Sequence, residues 1–364
     1  MEKESFFRRI YRTLNFNRLL NKRLCVSCDD AYCGLRSFLK RDVPLFSQQN
    51  TVEPQFDLMI IVPVYNTERY LKKCVDSLLN QKTHYKYQAV FINDGSSDDS
   101  GEILHDLIMP PHRIITVNNK GASAARNIAL KNITGRYTMF ADSDDYFPDD
   151  SVERLMQVAD TYSADIVEGG YADFNESGIF GHTSHSDIIR ESNANELFGF
   201  PWCKVIKSEL LKDFCFPEGY LLEDTVMAAL LYPQAETIFT IPNTVYYYRD
   251  NLEGITHSNE NRKESVDSFW MMKYCLEERL RRNYANTKQI YLRYIFAVYR
   301  NWIRMRALPE DVKKWTFVLT SELFESSFSS EYPLTEKRAI RLAAAMKKRS
   351  YEAYKFILDR WDIN

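Results

Sequence analysis

LMIIVPVYNTERYLKKCVDSLLNQ, Leu58 to Gln81, changes its period half-way along. The first seven residues form an almost unbroken apolar run, as in a strand covered on both faces. From Glu68 the apolar side chains fall at 71, 74, 75 and 78, the spacing of a helix with one buried stripe. The exchange then repeats. YQAVFI reads as a strand before the helix GEILHDLI, RIITV precedes SAARNIALKN, and YTMFA precedes DSVERLMQVADTY. A fifth apolar run, ADIVEG, follows. Strand and helix in turn predict an α/β sheet, mostly parallel, with helices on its faces.

In such sheets ligands bind beyond the carboxyl ends of the strands. Here the first strand ends in PVYN (63–66), the second in NDGSSDDS (93–100) and the fourth in DSDD (142–145), while the third leads into NNKGASAARN (118–127). Any one of these could be turn chemistry, because Asn, Asp, Gly and Ser populate turns for local reasons. Four polar ends on one rim predict a site. The stretch FADSDDYFPDD (140–150) carries more carboxylates than a turn needs. Close carboxylates repel one another, so the cluster asks for a positive charge. Asp149 and Asp150 are assigned instead to the start of the following helix, where negative charge is favoured.

Composition narrows the classes. The 364-residue chain has a formal net charge of −3, against a nucleic-acid binder. No apolar run approaches the roughly 18 residues of a membrane span. The opening MEKESFFRRIYRTLNFNRLL is charged throughout and lacks a secretory apolar core, so a cytoplasmic protein is expected. Seven cysteines at irregular positions imply no disulfide framework. Cys25, Cys28 and Cys33 are either part of a zinc site or reduced thiols; no partnering Cys or His pair follows nearby. After residue 170 the alternation fades. YADFNESGIFGHTSHSD reads as a loop or edge hairpin, PWCKVIKSELLKDF as a strand or turn entering a helix, and LLEDTVMAALLY as an apolar helix behind a carboxylate pair. ETIFTIPNTVYYYR reads as two short strands, and everything beyond about residue 262 is helical in period.

The ordered set IIVPVYN, INDGSSDDS, NKGASAARNIAL and MFADSDD resembles glycosyltransferase family 2, the inverting nucleotide-sugar transferases. PWCKVIKSELL, LLEDTVM and YYYRDNLEGIT resemble the distal landmarks of members that build bacterial surface polysaccharides. The likeness covers roughly residues 57–257. It implies a GT-A fold over 56–258, between an N-terminal extension (1–55) and a helical C-terminal region (259–364). It further implies a UDP-sugar donor and a Mn2+ or Mg2+ ion. Asp142-Ser143-Asp144 matches the family's Asp-x-Asp motif, with Asp144 on the metal and Asp142 on the ribose or the metal's water shell; Asp145 is a neighbour without a fixed role. Pro63, Tyr65 and Glu68 match the base and ribose contacts, and Asp94 the acid on the pyrimidine ring. Arg126 is open to two readings, a diphosphate contact or an ion pair to Asp94 or Asp142. Asp224 matches the base that deprotonates the acceptor hydroxyl, or caps its helix; Glu223 positions acceptor or base. Trp202 is either a sugar-stacking face or core. Arg249 matches a phosphate contact, and His257 either a third metal ligand or a surface histidine.

Two basic amphipathic stretches flank this region. Phe6, Phe7, Ile10, Tyr11 and Leu14 mix with Arg8, Arg9, Arg12, Arg18 and Lys22; Leu342, Met346, Tyr354, Phe356 and Ile357 mix with basic residues between Lys337 and Arg349. Such faces either lie on anionic lipid at the inner membrane surface, beside a lipid-linked glycan acceptor, or pack on the core or on a second protomer. Two other functions compete with transfer. A sugar-phosphate nucleotidyltransferase would carry a glycine-rich basic loop after the first strand, which VPVYNTERYL lacks. A non-catalytic scaffold would not need Asp142, Asp144 and Asp224 together.

Overall fold

The computed structural model describes residues 15–185, 187–251, 262–328 and 336–360. The chain divides into two compact units, Pro44–Gly254 and Met1–Val43 with Ile255–Asn364.

The first unit is built on a nine-stranded sheet. Its strands are β1 (Thr51–Val64), β2 (Tyr87–Asn93), β3 (Arg113–Thr116), β4 (Asn132–Phe140), β5 (Ile166–Asn175), β6 (Gly178–Thr183), β7 (Arg190–Ser192), β8 (Lys204–Lys207) and β9 (Ile238–Arg249). They lie in the order β3-β2-β1-β4-β8-β5-β9-β7, with β6 paired to β5. The half read as alternating strand and helix, β3-β2-β1-β4, is parallel throughout. Beyond β4 the sheet is mixed: β8 runs antiparallel to both β4 and β5, while β9 runs parallel to β5.

Burial follows the pattern of the residues. Leu58, Ile60, Val62 and Val64 of β1 lie in one core with Leu71, Cys74, Val75 and Leu78 of the next helix. Helices Glu68–Leu79, Ser100–Leu107, Ala122–Leu130 and Ser151–Tyr162 follow β1 to β4 in turn. β1 starts earlier than its apolar run because residues 51–56 pair with 132–135 of β4, with a register shift between Val52 and Phe56. Gly135 lies at this shift, where a Cβ would stand 2.3 Å from the Met59 nitrogen and 2.4 Å from the Tyr137 oxygen. Residues ahead of β1 also belong here: the Asn50 side-chain amide donates to the Leu211 and Phe214 carbonyls at 2.6 and 2.8 Å.

Three expectations change. The stretch read as two short strands, 236–249, is the single strand β9, accommodated by register shifts against β5 around Gly170. The apolar helix expected over 221–232 is only a short wide turn, Met227–Leu231, closed by a 3-10 turn at Tyr232–Gln234 that contains Pro233. The helix expected after PWCKVIK is a 3-10 turn, Ser208–Leu211.

The second unit is helical, as its periodicity predicts. It contains Cys28–Phe38, Asp267–Arg281, Lys288–Arg304, Glu310–Ser327, Lys337–Lys347 and Tyr351–Leu358. The basic amphipathic stretch around Leu342 to Ile357 is two helices and not a continuous one. The chain breaks at Arg349, in left-handed backbone with φ 51°, and Ser350 caps the next helix by accepting from Ala353 N–H. Leu342, Met346, Tyr354 and Ile357 are buried within this unit. Asp267 is buried and takes a two-pronged bond from Arg41, both at 2.8 Å. Cys28 donates to Glu322 and accepts from Arg349.

Candidate active site

The carboxyl ends of β1, β2 and β4 carry the rim residues, and backbone bonds lock their loops together. Asp94 N–H donates to Val64 O at 2.8 Å, and Ala141 N–H to Ile61 O at 3.0 Å. Asn66, left-handed at φ 50°, accepts from Ser97 N–H at 2.8 Å. Gly95 at φ 69° lets the second loop turn; a Cβ there would meet Asn119 N at 2.8 Å.

Asp94 is 2% exposed. Its two oxygens accept from Lys120 N–H at 2.9 Å and Gly121 N–H at 2.8 Å, fixing the entry to helix Ala122–Leu130. Arg126 from that helix does not pair with Asp94. It donates to Asp142 Oδ1 at 2.8 Å and to Glu223 Oε1 at 2.9 Å, resolving the ion-pair alternative in favour of Asp142 and adding Glu223. Burial works against the guanidinium charge, but the two carboxylates outweigh it and hold Arg126 above its ordinary value. Thus one buried cation joins the Asp-x-Asp segment to the Glu223-Asp224 segment, although 97 residues separate Arg126 from Glu223.

Around Asp142 the remaining groups interlock. Ser143 Oγ accepts from Thr67 Oγ1 at 3.1 Å. Tyr246 Oη accepts from Asp142 N–H at 3.1 Å and donates to Asp145 Oδ2 at 2.6 Å. Arg249 donates its backbone N–H to Asp145 Oδ1 at 2.7 Å and its Nε to Asp144 O at 2.8 Å. Asn251 Nδ2 donates to Asp144 Oδ2 at 3.2 Å. Burial, then the neighbouring carboxylates, pushes Asp144 up and Asp145 well up. Asp145, left without a role by the sequence, is the buried hub of the segment. Tyr246 and Asn251 were not foreseen. The YYYRDN landmark contains both, but nothing local marks either as a partner of Asp142 to Asp145.

Asp224 is half-buried and its carbonyl accepts Met227 N–H at 2.9 Å, so it opens the helical turn. Leu222, two residues earlier, is held at φ 64°. A branched side chain in that region costs about 1 kcal/mol or more, and such strain gathers at functional sites. Tyr65 is 48% exposed at the rim and Pro63 is half-buried in β1. Glu68 is tied elsewhere: its carboxylate accepts Asp99 N–H at 2.8 Å, and its own N–H donates to Asp98 at 3.0 Å. Trp202 is 6% exposed and stacked with Phe200 and Tyr246, so it is core and offers no sugar face. Asp149 and Asp150 form ion pairs with Lys82 and Arg154 ahead of helix Ser151–Tyr162. His257 lies outside the described residues.

Among the described residues no group of three His, Cys, Asp or Glu side chains forms a ready cage for a metal. The donor chemistry at Asp142 and Asp144 nevertheless fits a hard dication. It is all oxygen, burial and the neighbouring Asp142 charge disfavour the Asp144 carboxylate, and ions of the Mg2+ type are commonly held by one or two carboxylates plus substrate phosphates.

Residues 59–214 match the family described as Glycosyl transferase family 2. The glycosyltransferase GlyG of Streptococcus pneumoniae serotype 4 is 30% identical over 212 residues, 53% of this chain and 70% of GlyG. The chain belongs to glycosyltransferase family 2. A second pneumococcal relative of this family 2 protein, glycosyltransferase GlyA, is 34% identical over 236 residues, 60% of this chain but 32% of GlyA. The poly(ribitol-phosphate) beta-glucosyltransferase of Bacillus spizizenii is 30% identical over 54% of this chain and 33% of its own length. The chain thus spans about a third of two of these relatives. The Staphylococcus aureus TarS structure, residues 1–349 with UDP-GlcNAc, superimposes with a TM-score of 0.67 over 84% of this chain and 91% of that one. At 19% identity this shows the GT-A-like fold with its helical C-terminal region.

Proposed function

We propose that this family 2 protein is a divalent-metal-dependent, inverting glycosyltransferase. It moves a sugar from a UDP-sugar to a hydroxyl of a glycan or lipid-linked glycan in bacterial surface polysaccharide synthesis, at the cytoplasmic side. The observation that carries this is the bridge from Arg126 to Asp142 and Glu223, which joins a metal-type carboxylate segment to a Glu-Asp pair. Support for UDP as the nucleotide comes from TarS, solved with UDP-GlcNAc and with UDP. The names of the Bacillus spizizenii relative and of a Bacillus subtilis minor teichoic acid biosynthesis protein support a surface-polymer acceptor.

In this reading the catalytic part is 56–258, within the sheet unit. Pro63, Tyr65 and Asp94 line the nucleoside. Asp94 oxygens that each hold one backbone amide keep a further lone pair for the pyrimidine N–H. Glu68 acts on the nucleoside only through the loop it ties. Asp144 and Asp142, with His257 as a further ligand, would hold Mg2+ or Mn2+, which when bound supplies a Lewis acid for the charge growing on the diphosphate. Arg126 keeps Asp142 and Glu223 oriented, and Ser143 ties that segment to Thr67. The acceptor oxygen bonds to the anomeric carbon as the bond to the diphosphate oxygen breaks. The acceptor's proton passes to the Asp224 carboxylate, and the electron pair of the broken bond leaves on UDP. Displacement from one face inverts the anomeric carbon, through a transition state of oxocarbenium character that nearby carboxylates favour.

Replacing Asp224 by Asn tests the assignment. Turnover is expected to fall by about 100-fold or more, the usual worth of a positioned base, with donor affinity kept. Wild-type turnover in D224N would remove Asp224 from the reaction.

A further inference from the structure

Strand β8 opens on Lys204, which is 0% exposed, opposite Glu168 of β5, also 0% exposed. The two form an ion pair, and Glu168 also accepts Phe198 N–H at 3.0 Å and meets His185. Burial works against the ammonium charge, but the Glu168 carboxylate outweighs it and holds Lys204 above its ordinary value. A buried pair of this kind is often no more stable than apolar residues of the same volume. Stability alone therefore gives no reason for a lysine here. The ammonium does more than pair: it donates to the Phe198 and Phe200 carbonyls at 3.0 and 2.7 Å and to the Tyr232 hydroxyl at 2.8 Å. Tyr232 in turn donates to Phe200 O at 2.8 Å.

From this junction two chains of contact reach the site. Along one, Tyr232 N–H donates to Met227 O, and Met227 N–H donates to Asp224 O at 2.9 Å. Along the other, the Phe200 ring stacks on Trp202 at 3.6 Å and Trp202 on Tyr246 at 4.6 Å, whose hydroxyl donates to Asp145. Arg126 ties the same two segments through their carboxylates. Lys204 ties them through Tyr232 and Trp202 instead. Backbone strain lies beside both: Cys203, just before Lys204, is left-handed at φ 58°, as Leu222 is at 64° ahead of Asp224. Such strain persists only where the surroundings over-determine it.

We propose that Lys204 is a positioning residue for Asp224, setting the turn that Asp224 opens against the Asp142–Asp145 segment by way of Tyr232. That the positioned group is a catalytic base rests on the transferase reading above; the coupling of Lys204 to the turn does not. An apolar side chain at 204 could fill the space but would leave the Tyr232 hydroxyl and two carbonyls without their donor. The landmark PWCKVIKSELL contains Lys204, but the family likeness gave it no role.

The test compares the wild-type chain with two variants. Y232F removes the hydroxyl and keeps the ring; K204M/E168Q removes the lysine without stranding a buried charge. Backbone amide exchange over residues 222–227 is followed by mass spectrometry, with β1 as internal control. Hydrolytic release of UDP from UDP-hexoses and UDP-N-acetylhexosamines is measured with Mn2+ in the same variants, in D224N and in D224N/Y232F. Both variants are expected to exchange faster over 222–227 with β1 unchanged. Each should lose about 10- to 100-fold in kcat, the cost of misplacing a catalytic group, with UDP affinity kept. Y232F should cost nothing further in D224N, because the two changes act on one step. Wild-type exchange or wild-type kcat in Y232F overturns the proposal, and so does an equal kcat loss in both backgrounds; Lys204 would then serve the core alone. Y232F decides by itself where the double variant fails to fold. Faster exchange in Y232F of a protein that neither binds UDP nor releases it keeps the coupling of Lys204 to the turn and removes the transferase reading.

Discussion

Tyr246 accepts from the Asp142 amide and donates to the Asp145 carboxylate. Burial, then the Asp145 charge, raises its phenol well above the ordinary value, so it remains a donor. Replacing it by Phe leaves a buried carboxylate short of a partner. The expected cost is about 1–3 kcal/mol, read as a lower midpoint in denaturant unfolding, together with weaker metal-dependent donor binding. An unchanged midpoint would show that the hydroxyl does not hold the segment. The raised carboxyls of Asp144 and Asp145 give a pH dependence of definite sign. A raised acid favours folding while protonated. That contribution is complete below the unfolded value of about 3.9 and is lost as pH rises through the folded value. Mn2+ competes with those protons, so the melting shift it produces should be larger at about pH 8 than at about pH 5. Equal shifts would place the ion elsewhere. Asp142, Asp144, Arg126 and Glu223 were legible because short motifs mark them. Asp145 and Tyr246 were not, because their meaning lies in a bond between residues 101 positions apart.

β1 to β4 were legible for a different reason. The apolar runs of β1, β2 and the end of β4 are buried on both faces, β3 is a half-buried edge strand, and each is followed by a helical stripe, so period separates strand from helix. β8 and β9 were less legible in the mixed half: β8 is only four residues long, and β9 shifts its register against β5 around Gly170, which breaks its alternation. The turn after Asp224 misled for a local reason: Leu222 is left-handed and Pro233 stops the helix, yet TVMAALLY is apolar enough to suggest a longer one. Where β1 and β4 approach at Gly135, the backbone leaves no room for a Cβ. Gly135→Ala should therefore destabilise the sheet unit by about 1–3 kcal/mol, the usual cost of overpacking, in equilibrium unfolding. A neutral result would mean that β1 can shift its register without loss.

The chain combines a sheet unit that bears every described candidate site residue with a helical unit whose sequence reading offered lipid or a core for its apolar faces. For Leu342, Met346, Tyr354 and Ile357 the core is the answer. Any hold of the last two helices on anionic lipid would rest mainly on their basic residues and would weaken with salt. No helix among the described residues is long and apolar enough to cross a membrane. What the chain does therefore turns on the rim of the sheet. The direct measurement is calorimetric titration of UDP, beside other nucleoside diphosphates, with Mn2+ and then with chelator. UDP is expected to bind in preference to the other diphosphates, with binding lost or greatly weakened on chelation. Failure of UDP to bind under either condition would contradict this, leaving the Asp142–Asp145 segment as architecture for a scaffold.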